Sequence, residues 1–184
     1  LLITSDLKGM ALTLPAPLNK PAAALMPLRI ESQLTRESLQ PKSRVLQDQI
    51  SVTLGRLMSV TYVRDLSGDH TRVVRGGIAV GQSVMDAVPM RDNAVSLNLQ
   101  LPALDLDAWN AALTEFTGAS PLKRKTTPRS VVGAEATSDD AQDYMPAFAA
   151  LRADQIKVSD RVIHQVLVGG TRQEDLWRLN ISAD

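Results

Sequence analysis

The chain has 184 residues, with 20 acidic and 20 basic side chains and a formal net charge of zero. This balance excludes the strongly basic surface that nucleic-acid-binding domains usually carry. Hydrophobic residues make up 44% of the chain and charged residues 22%, which is typical of a folded domain. Aromatic residues make up only 3%, so the apolar surface must be mainly aliphatic.

The chain contains no cysteine, which excludes disulfides, thiolate metal sites and cysteine nucleophiles. This composition is compatible with both the cytosol and a bacterial periplasm. No apolar run approaches the roughly 20 residues of a membrane-spanning helix, and no signal peptide pattern is visible. Because the first residue is Leu1 and the chain opens directly in a strand pattern, we expect residues 1–184 to be a single β-rich segment of a longer protein.

Alternation of apolar and polar residues with period two is the dominant pattern along the chain. It is clearest in 94–101, "AVSLNLQL", where every second residue is aliphatic. In chain order, the predicted strands are 1–6, 11–14, 28–34, 48–54, 57–64, 71–80, 94–101, 149–158, 162–168 and 175–182. Turn residues at 66–71 and 158–162 predict hairpin loops. The pattern therefore predicts a mainly β protein with a large, meandering, curled antiparallel sheet, either an open groove or a half-barrel.

One short helix is predicted after the strand at 94–101. Its apolar residues recur at helical spacing, and we expect Trp109, Leu113 and Phe116 to pack the helix against or across the sheet. Asp107 stands where an N-cap is expected, and Gly118 stands where a C′ glycine is expected. Residues 119–143 are polar, lack periodicity and are predicted to form a flexible loop.

Residues that could carry catalysis are few. An unrecognised hydrolase site would have to use Asp105, Asp107 and His164, but helix capping accounts for the aspartates. His164 is expected to be a partly buried strand residue, and the other histidine, His70, lies in a predicted turn. With no recognisable nucleophile, phosphate-binding loop or metal-ligand spacing, we expect a protein that is not an enzyme and needs no metal or cofactor.

The apolar side of the sheet is the remaining candidate for function. It is either a closed core, as in a structural or protein-interaction domain, or an open groove for an apolar ligand. Periodicity alone does not distinguish these alternatives. The residues expected to line a groove are Ile50, Val52, Leu54, Val95, Leu97, Leu99, Leu101 and Leu179.

Residues 5–21, "SDLKGMALTLPAPLNKP", form the most distinctive segment of the chain. Gly9 is expected to be a bend between two strands, Pro15 and Pro17 to end the second strand, and Lys20 to be a solvated turn residue. The segment resembles the Ser-Asp-Leu-x-Gly-x-x-x-x-Leu-Pro-x-Pro-Leu-x-Lys phrase of the YhdP family, which belongs to the AsmA-like proteins of Gram-negative bacteria. Residues 104–113 and the blocks 150–158 and 176–184 are similar to later parts of that family.

The resemblance implies an internal segment of a periplasmic protein that is anchored in the inner membrane by parts outside this chain. Such proteins act as bridge-like lipid transporters in the cell envelope, moving phospholipid between the inner and outer membranes along an apolar β-groove. The implied partners are phospholipid acyl chains and neighbouring β-segments of the same protein, with no nucleic acid. The alternative remains a non-enzymatic periplasmic domain with a closed β core.

Overall fold

The computed structural model describes residues 1–81, 90–117, 143–173 and 176–184. Within these ranges the chain forms nine strands and one α-helix, α1, which spans Leu106–Thr117. The strands are β1 (Leu2–Ser5), β2 (Leu28–Leu34), β3 (Gln47–Leu54), β4 (Met58–Asp65), β5 (Arg72–Gly81), β6 (Ala94–Asp105), β7 (Phe148–Val158), β8 (Arg161–Gln173) and β9 (Leu176–Ser182).

All nine strands belong to one sheet, and their order in the sheet is their order in the chain, from β1 to β9. The two end strands, β1 and β9, do not pair with each other, so the sheet is open. This architecture confirms the predicted fold class, a mainly β protein with one large open sheet and one short helix. The hairpin loops predicted at 66–71 and 158–162 join β4 to β5 and β7 to β8.

The direction of the strands departs from a simple meander at two places. The pairs β5–β6 and β6–β7 are parallel, whereas the other pairs in the described sheet are antiparallel. A parallel pair needs a connection that returns the chain to the end of the sheet from which the previous strand started. Residues 82–93 lie between β5 and β6, and α1 lies between β6 and β7.

The segment predicted as a strand at 11–14 is not a strand. It contributes one isolated bridge, between Leu12 and Lys20, inside the long connection from β1 to β2. Three prolines at positions 15, 17 and 21 lack the N–H that a longer ladder would need. Residues 119–142 of the loop predicted at 119–143 lie outside the described residues, as does the predicted C′ glycine, Gly118.

The helix begins differently from the prediction. The Oδ1 of Asp105 accepts a hydrogen bond from the backbone N–H of Ala108 at 2.9 Å, so Asp105 is the N-cap and not Asp107. Asp107 lies in the first turn, and its Oδ2 accepts a hydrogen bond from the backbone N–H of Ser159. The N-cap lies two residues earlier than predicted. The reason is that β6 extends to Asp105, four residues beyond the predicted strand end, and α1 begins at the next residue.

A small buried cluster lies where α1 meets the β7–β8 hairpin. Ala153, Ile156 and Val166 are at most 6% exposed, and Leu104 and Leu106 pack against them. Leu106 is the first residue of α1, so this contact fixes the start of the helix against the sheet. Only nine apolar residues are buried in the described chain, whereas twenty large apolar residues are exposed. The sheet therefore lacks a second layer comparable to that of a sandwich.

Candidate functional site

One side of the sheet, which we call the apolar face, is built from aliphatic residues in register. Because residues paired across neighbouring strands point to the same side, a row of partners can be followed from strand to strand. The first row is Ile3, Ile30, Val52, Val60, Ile78, Leu97, Ala149, Gly170 and Leu179. The second row is Leu28, Leu54, Met58, Val80, Leu99, Leu151, Val168 and Ile181.

The opposite side, which we call the polar face, carries the alternate residues of the same strands. Its members are mainly hydroxyl, amide and charged residues: Arg29, Glu31, Ser51, Thr53, Ser59, Thr61, Ser96, Asn98, Gln100, Arg152, Thr171, Arg178 and Asn180. A sheet with these two unlike faces keeps one side in water and presents the other to something apolar.

The structure brings the eight residues predicted to line a groove onto this apolar face. Ile50, Val52, Leu97 and Leu99 are half-buried, and Leu179 is 56% exposed. The other three are buried: Leu54 is 8% exposed, Val95 2% and Leu101 5%. These three support the face from within and offer little surface to a ligand. The lining role itself remains a prediction.

Sequence reasoning missed several residues of the apolar face. Val60, Ile78, Leu151 and Val168 occupy the same two rows as the predicted residues. Their strands were predicted, so the alternation of each strand could have identified them. The row that joins them is a tertiary property, because it depends on the register between strands that are far apart in the chain.

An ion pair marks one margin of the apolar face. Asp48 and Arg64 are paired across β3 and β4, and the Arg64 Nε and Nη2 donate to the two Asp48 carboxylate oxygens at 3.0 and 2.6 Å. The Ser32 hydroxyl donates to the same carboxylate at 3.2 Å. These hydrogen bonds, chiefly those from Arg64, lower the pKa of Asp48, and the pair raises the pKa of Arg64. Asp48 is only 6% exposed, so the charge is held inside the structure.

Two tyrosines lie beside this ion pair. The rings of Tyr62 and Tyr144 meet edge to face with centroids 5.1 Å apart, and the Tyr62 hydroxyl donates to the Tyr144 carbonyl oxygen at 3.2 Å. Burial raises the pKa of Tyr62. Gly76 lies under the Tyr62 ring, since a Cβ at this position would approach the ring to 2.5 Å. The contact brings the residues just before β7 onto the apolar face at β4 and β5.

The connection between β1 and β2 forms a compact segment, residues 6–27, at the opposite ends of the strands. Lys20 is 3% exposed, and its Nζ donates to the carbonyl oxygens of Met10 at 2.5 Å and Pro21 at 3.2 Å. The expected solvated lysine is therefore wrong, because the ammonium holds together the two halves of the segment. Gly9 does lie at a bend, with a φ of 88°. The distinctive sequence of this segment thus builds a connection closed on itself.

Helix α1 contacts this connection through Trp109. The indole Nε1 donates to the carbonyl oxygen of Ala16 at 3.0 Å. Leu113 is 41% exposed, so it is not enclosed between the helix and the sheet, and the side chain of Phe116 lies outside the described residues. Trp109 therefore links the helix that follows β6 to the connection that follows β1, although four strands lie between β1 and β6 in the sheet.

The residues of the alternative hydrolase site lie apart. Asp105 caps α1 and forms an ion pair with Lys157 at 3.3 Å, and the Ala108 N–H, followed by Lys157, lowers its pKa. His164 is on β8, two strands away from Asp105, and the β8 residue in register with Asp105 is Val162 and not His164. His164 is exposed and not partly buried, and its backbone pairs with that of Asp184. His70 is exposed in the β4–β5 turn, as predicted.

Neither a metal-binding cluster nor a membrane-spanning helix occurs in the part of the chain that the structure describes. No three or more His, Cys, Asp or Glu side chains there are grouped closely enough to hold a metal ion. No helix in that part of the chain is both long and apolar enough to cross a membrane.

An open, single-layer sheet with rows of aliphatic residues on one side defines a protein that offers an extended apolar surface. Comparison with known families places the chain more closely. The protein-family model described as YhdP protein matches residues 1–184. The chain belongs to this family, which is associated with lipid transport. No curated protein and no solved structure matches the chain in the corresponding searches.

Proposed function

We propose that this chain is a non-enzymatic segment of a periplasmic lipid transporter and that its apolar face carries phospholipid acyl chains between the inner and outer membranes. The observation that supports this function best is the continuity of the two aliphatic rows, which cross β2 to β9 without a charged residue. A second supporting observation is that much of this surface is only half-buried.

The energetics of such a face favour movement. Each CH₂ group that leaves water gains about 0.8 kcal/mol, whichever aliphatic side chain it contacts. Neighbouring strands are about 4.8 Å apart, so a chain lying along a row meets a similar residue at every step. Binding is therefore strong enough to hold the acyl chain, and the free energy changes little as the chain moves along the sheet.

The margins of the sheet fit the same proposal. The head group of a phospholipid must stay hydrated, and the Asp48–Arg64 pair gives the apolar face a polar margin on β3 and β4. At the far end of the sheet, all seven residues of β9 are exposed, including Leu176 at 76% and Ile181 at 67%. We propose that β1 and β9 pair with neighbouring β-segments of the same natural protein, which would continue the groove.

Site-specific photocrosslinking in cells tests the proposal. A benzophenone amino acid replaces Leu99 on the apolar face or Gln100, its neighbour on the polar face, in the natural protein. We expect phospholipid adducts at Leu99 and none at Gln100, as read by mass spectrometry. The two positions are adjacent on β6, so expression and probe chemistry are matched.

The contrary result would be adducts with protein alone at Leu99, with the probe confirmed to react. That outcome would show that another polypeptide covers the apolar face and that this segment has a closed core. Equal lipid labelling at both positions would also count against the groove, because it would report general proximity to a membrane.

A further inference from the structure

The polar face contains a cleft of about 360 Å³ near the β7, β8 and β9 strands. Its floor is made by two adjacent register rows. Ser96, Phe148, Thr171 and Arg178 form one row, and Asn98, Ala150, Gly169 and Asn180 form the other. Ala150 and Gly169 in the second row are small, whereas Phe148 and Arg178 in the first row are large.

Two arginines line this cleft. Arg178 belongs to the first row, and Arg91 reaches the cleft from the loop before β6. The Arg91 guanidinium carbon lies 4.3 Å from the centre of the Phe148 ring, so a cation–π contact holds Arg91 over the cleft. A guanidinium stacked in this way keeps its N–H groups free to donate in the plane of the fork.

The charge of the cleft is uncompensated within the described residues. No described carboxylate lines it, and the nearby Asp92 pairs instead with Arg75 at 3.4 Å. Thr171 and Asn180 add hydroxyl and amide donors on the same surface. Two arginines with hydroxyl and amide donors match the needs of a phosphate group, which accepts bidentate hydrogen bonds from guanidinium.

An apolar hollow of about 300 Å³ adjoins the cleft and shares Ala150, Gly169 and Asn180 with it. Leu167, which is 51% exposed, lies on the far side of this hollow. A ligand that combined a phosphate with an apolar or neutral organic part would use both spaces. Inorganic phosphate alone would use only the arginine side.

We propose that this cleft on the polar face is a binding site for a phosphate ester, with Arg91 and Arg178 holding the phosphate and the Ala150–Gly169 side holding its organic part. The site lies on the opposite face of the sheet from the two aliphatic rows, and this proposal does not depend on acyl-chain binding to those rows. The phosphate ester could be soluble or could be the head group of a membrane lipid, and these two sources share the same chemistry.

Titration calorimetry at low salt tests the site, with inorganic phosphate and glycerol 3-phosphate added to the 184-residue chain. We expect both to bind, with glycerol 3-phosphate the tighter of the two. Arg91→Gln and Arg178→Gln should each weaken binding by about tenfold, because each removes charged hydrogen bonds. The matched control is Arg152→Gln, an exposed arginine on the same face of β7 that does not line the cleft; it should change affinity less than about twofold.

Vesicles of phosphatidylcholine with and without phosphatidylglycerol distinguish the two sources. Recruitment to the anionic vesicles that is lost in Arg91→Gln and reversed by glycerol 3-phosphate would identify a lipid head group. Calorimetric binding without recruitment would identify a soluble phosphate ester. Two results would overturn the site: no binding of either phosphate compound, or an equal loss of affinity in Arg152→Gln and in the two cleft variants.

Discussion

Gly81 is a residue that the fold requires to be glycine. Its φ is 78°, and a Cβ at this position would lie 2.1 Å from the carbonyl oxygen of Gln100 on the neighbouring β6. We expect Gly81→Ala to lower the free energy of unfolding by about 3 kcal/mol or more, because backbone strain and a collision with backbone add together. Urea unfolding followed by circular dichroism measures the change.

Gly9→Ala is the matched control for this substitution. Gly9 has a similar φ of 88°, but a Cβ there would meet nothing within 4 Å. Only the backbone cost remains, so we expect a loss of about 1 kcal/mol. Equal losses for the two variants would show that the close approach of β5 to β6 at Gln100 is not a constraint in solution.

Asp48 contributes stability that depends on pH. Arg64 and Ser32 lower its pKa below the ordinary value of 3.8 in the folded state. The contribution is therefore complete above the ordinary pKa and is lost as the pH falls through the lower folded pKa, where the carboxylate becomes protonated. We expect Asp48→Asn to cost about 3 kcal/mol at neutral pH, since it leaves the Arg64 charge without its partner.

The test is the free energy of unfolding of both proteins from neutral pH down to about pH 2.5. The difference between them should shrink as the pH falls below 3.8. Asp154→Asn, at an exposed position on β7, is the control and should have little effect at any pH. A constant difference between wild type and Asp48→Asn would contradict the assignment of the ion pair as its cause.

At the scale of elements, the β1–β2 connection depends on one buried ammonium group. Lys20→Met keeps the length and apolar stem of the side chain but removes the donors to the Met10 and Pro21 carbonyl oxygens. We expect a loss of about 2 kcal/mol, because the two carbonyl oxygens lose the donor that this partly buried contact supplies. Hydrogen exchange should show the opening locally, at the amides of Gly9 and Leu12, which pair within the segment.

Lys8→Met is the control, because Lys8 is exposed in the same segment. It should leave the exchange of these amides unchanged. If Lys20→Met also left them unchanged, the lysine would not be what holds the connection closed, and the backbone bridge between Leu12 and position 20 would suffice.

The elements themselves could largely be predicted. Strand β2 was predicted to the residue at 28–34, and β3, β4 and β5 within about one residue, because each alternates cleanly and ends at turn residues. The strand predicted at 11–14 failed because Leu12 and Leu14 alternate with polar residues over too short a stretch to outweigh the prolines that follow. The N-cap was misplaced for a similar local reason, since Asp105 and Asp107 are equivalent as residue types.

At the scale of the whole molecule, the apolar face should bind an apolar probe while the protein is folded. Val52 and Val60 are register partners on this face, and replacing both with isosteric threonine adds two hydroxyl groups without changing shape or β propensity. We expect the double variant Val52→Thr/Val60→Thr to bind Nile red several-fold more weakly than the wild type, because the hydroxyl groups would be desolvated by the bound dye.

The control is Thr53→Val/Thr61→Val, which makes the reverse exchange on the polar face, one residue further along each strand. It should leave dye binding close to that of the wild type. If the two double variants bound Nile red equally well, the apolar face would not be the accessible apolar surface. That result would support the closed-core alternative.

The sequence by itself determined that the chain is β-rich, that its strands have one aliphatic and one polar face, and which residues lie on each. These are local properties, because alternation along a strand assigns every side chain to a face. Only the tertiary structure decided that β5, β6 and β7 run parallel, that Val60 and Ile78 continue the row of Leu97, and that Arg91 and Arg178 line one cleft. Each of these depends on register and connection between distant strands, and alternation within one strand does not record which strand lies beside it.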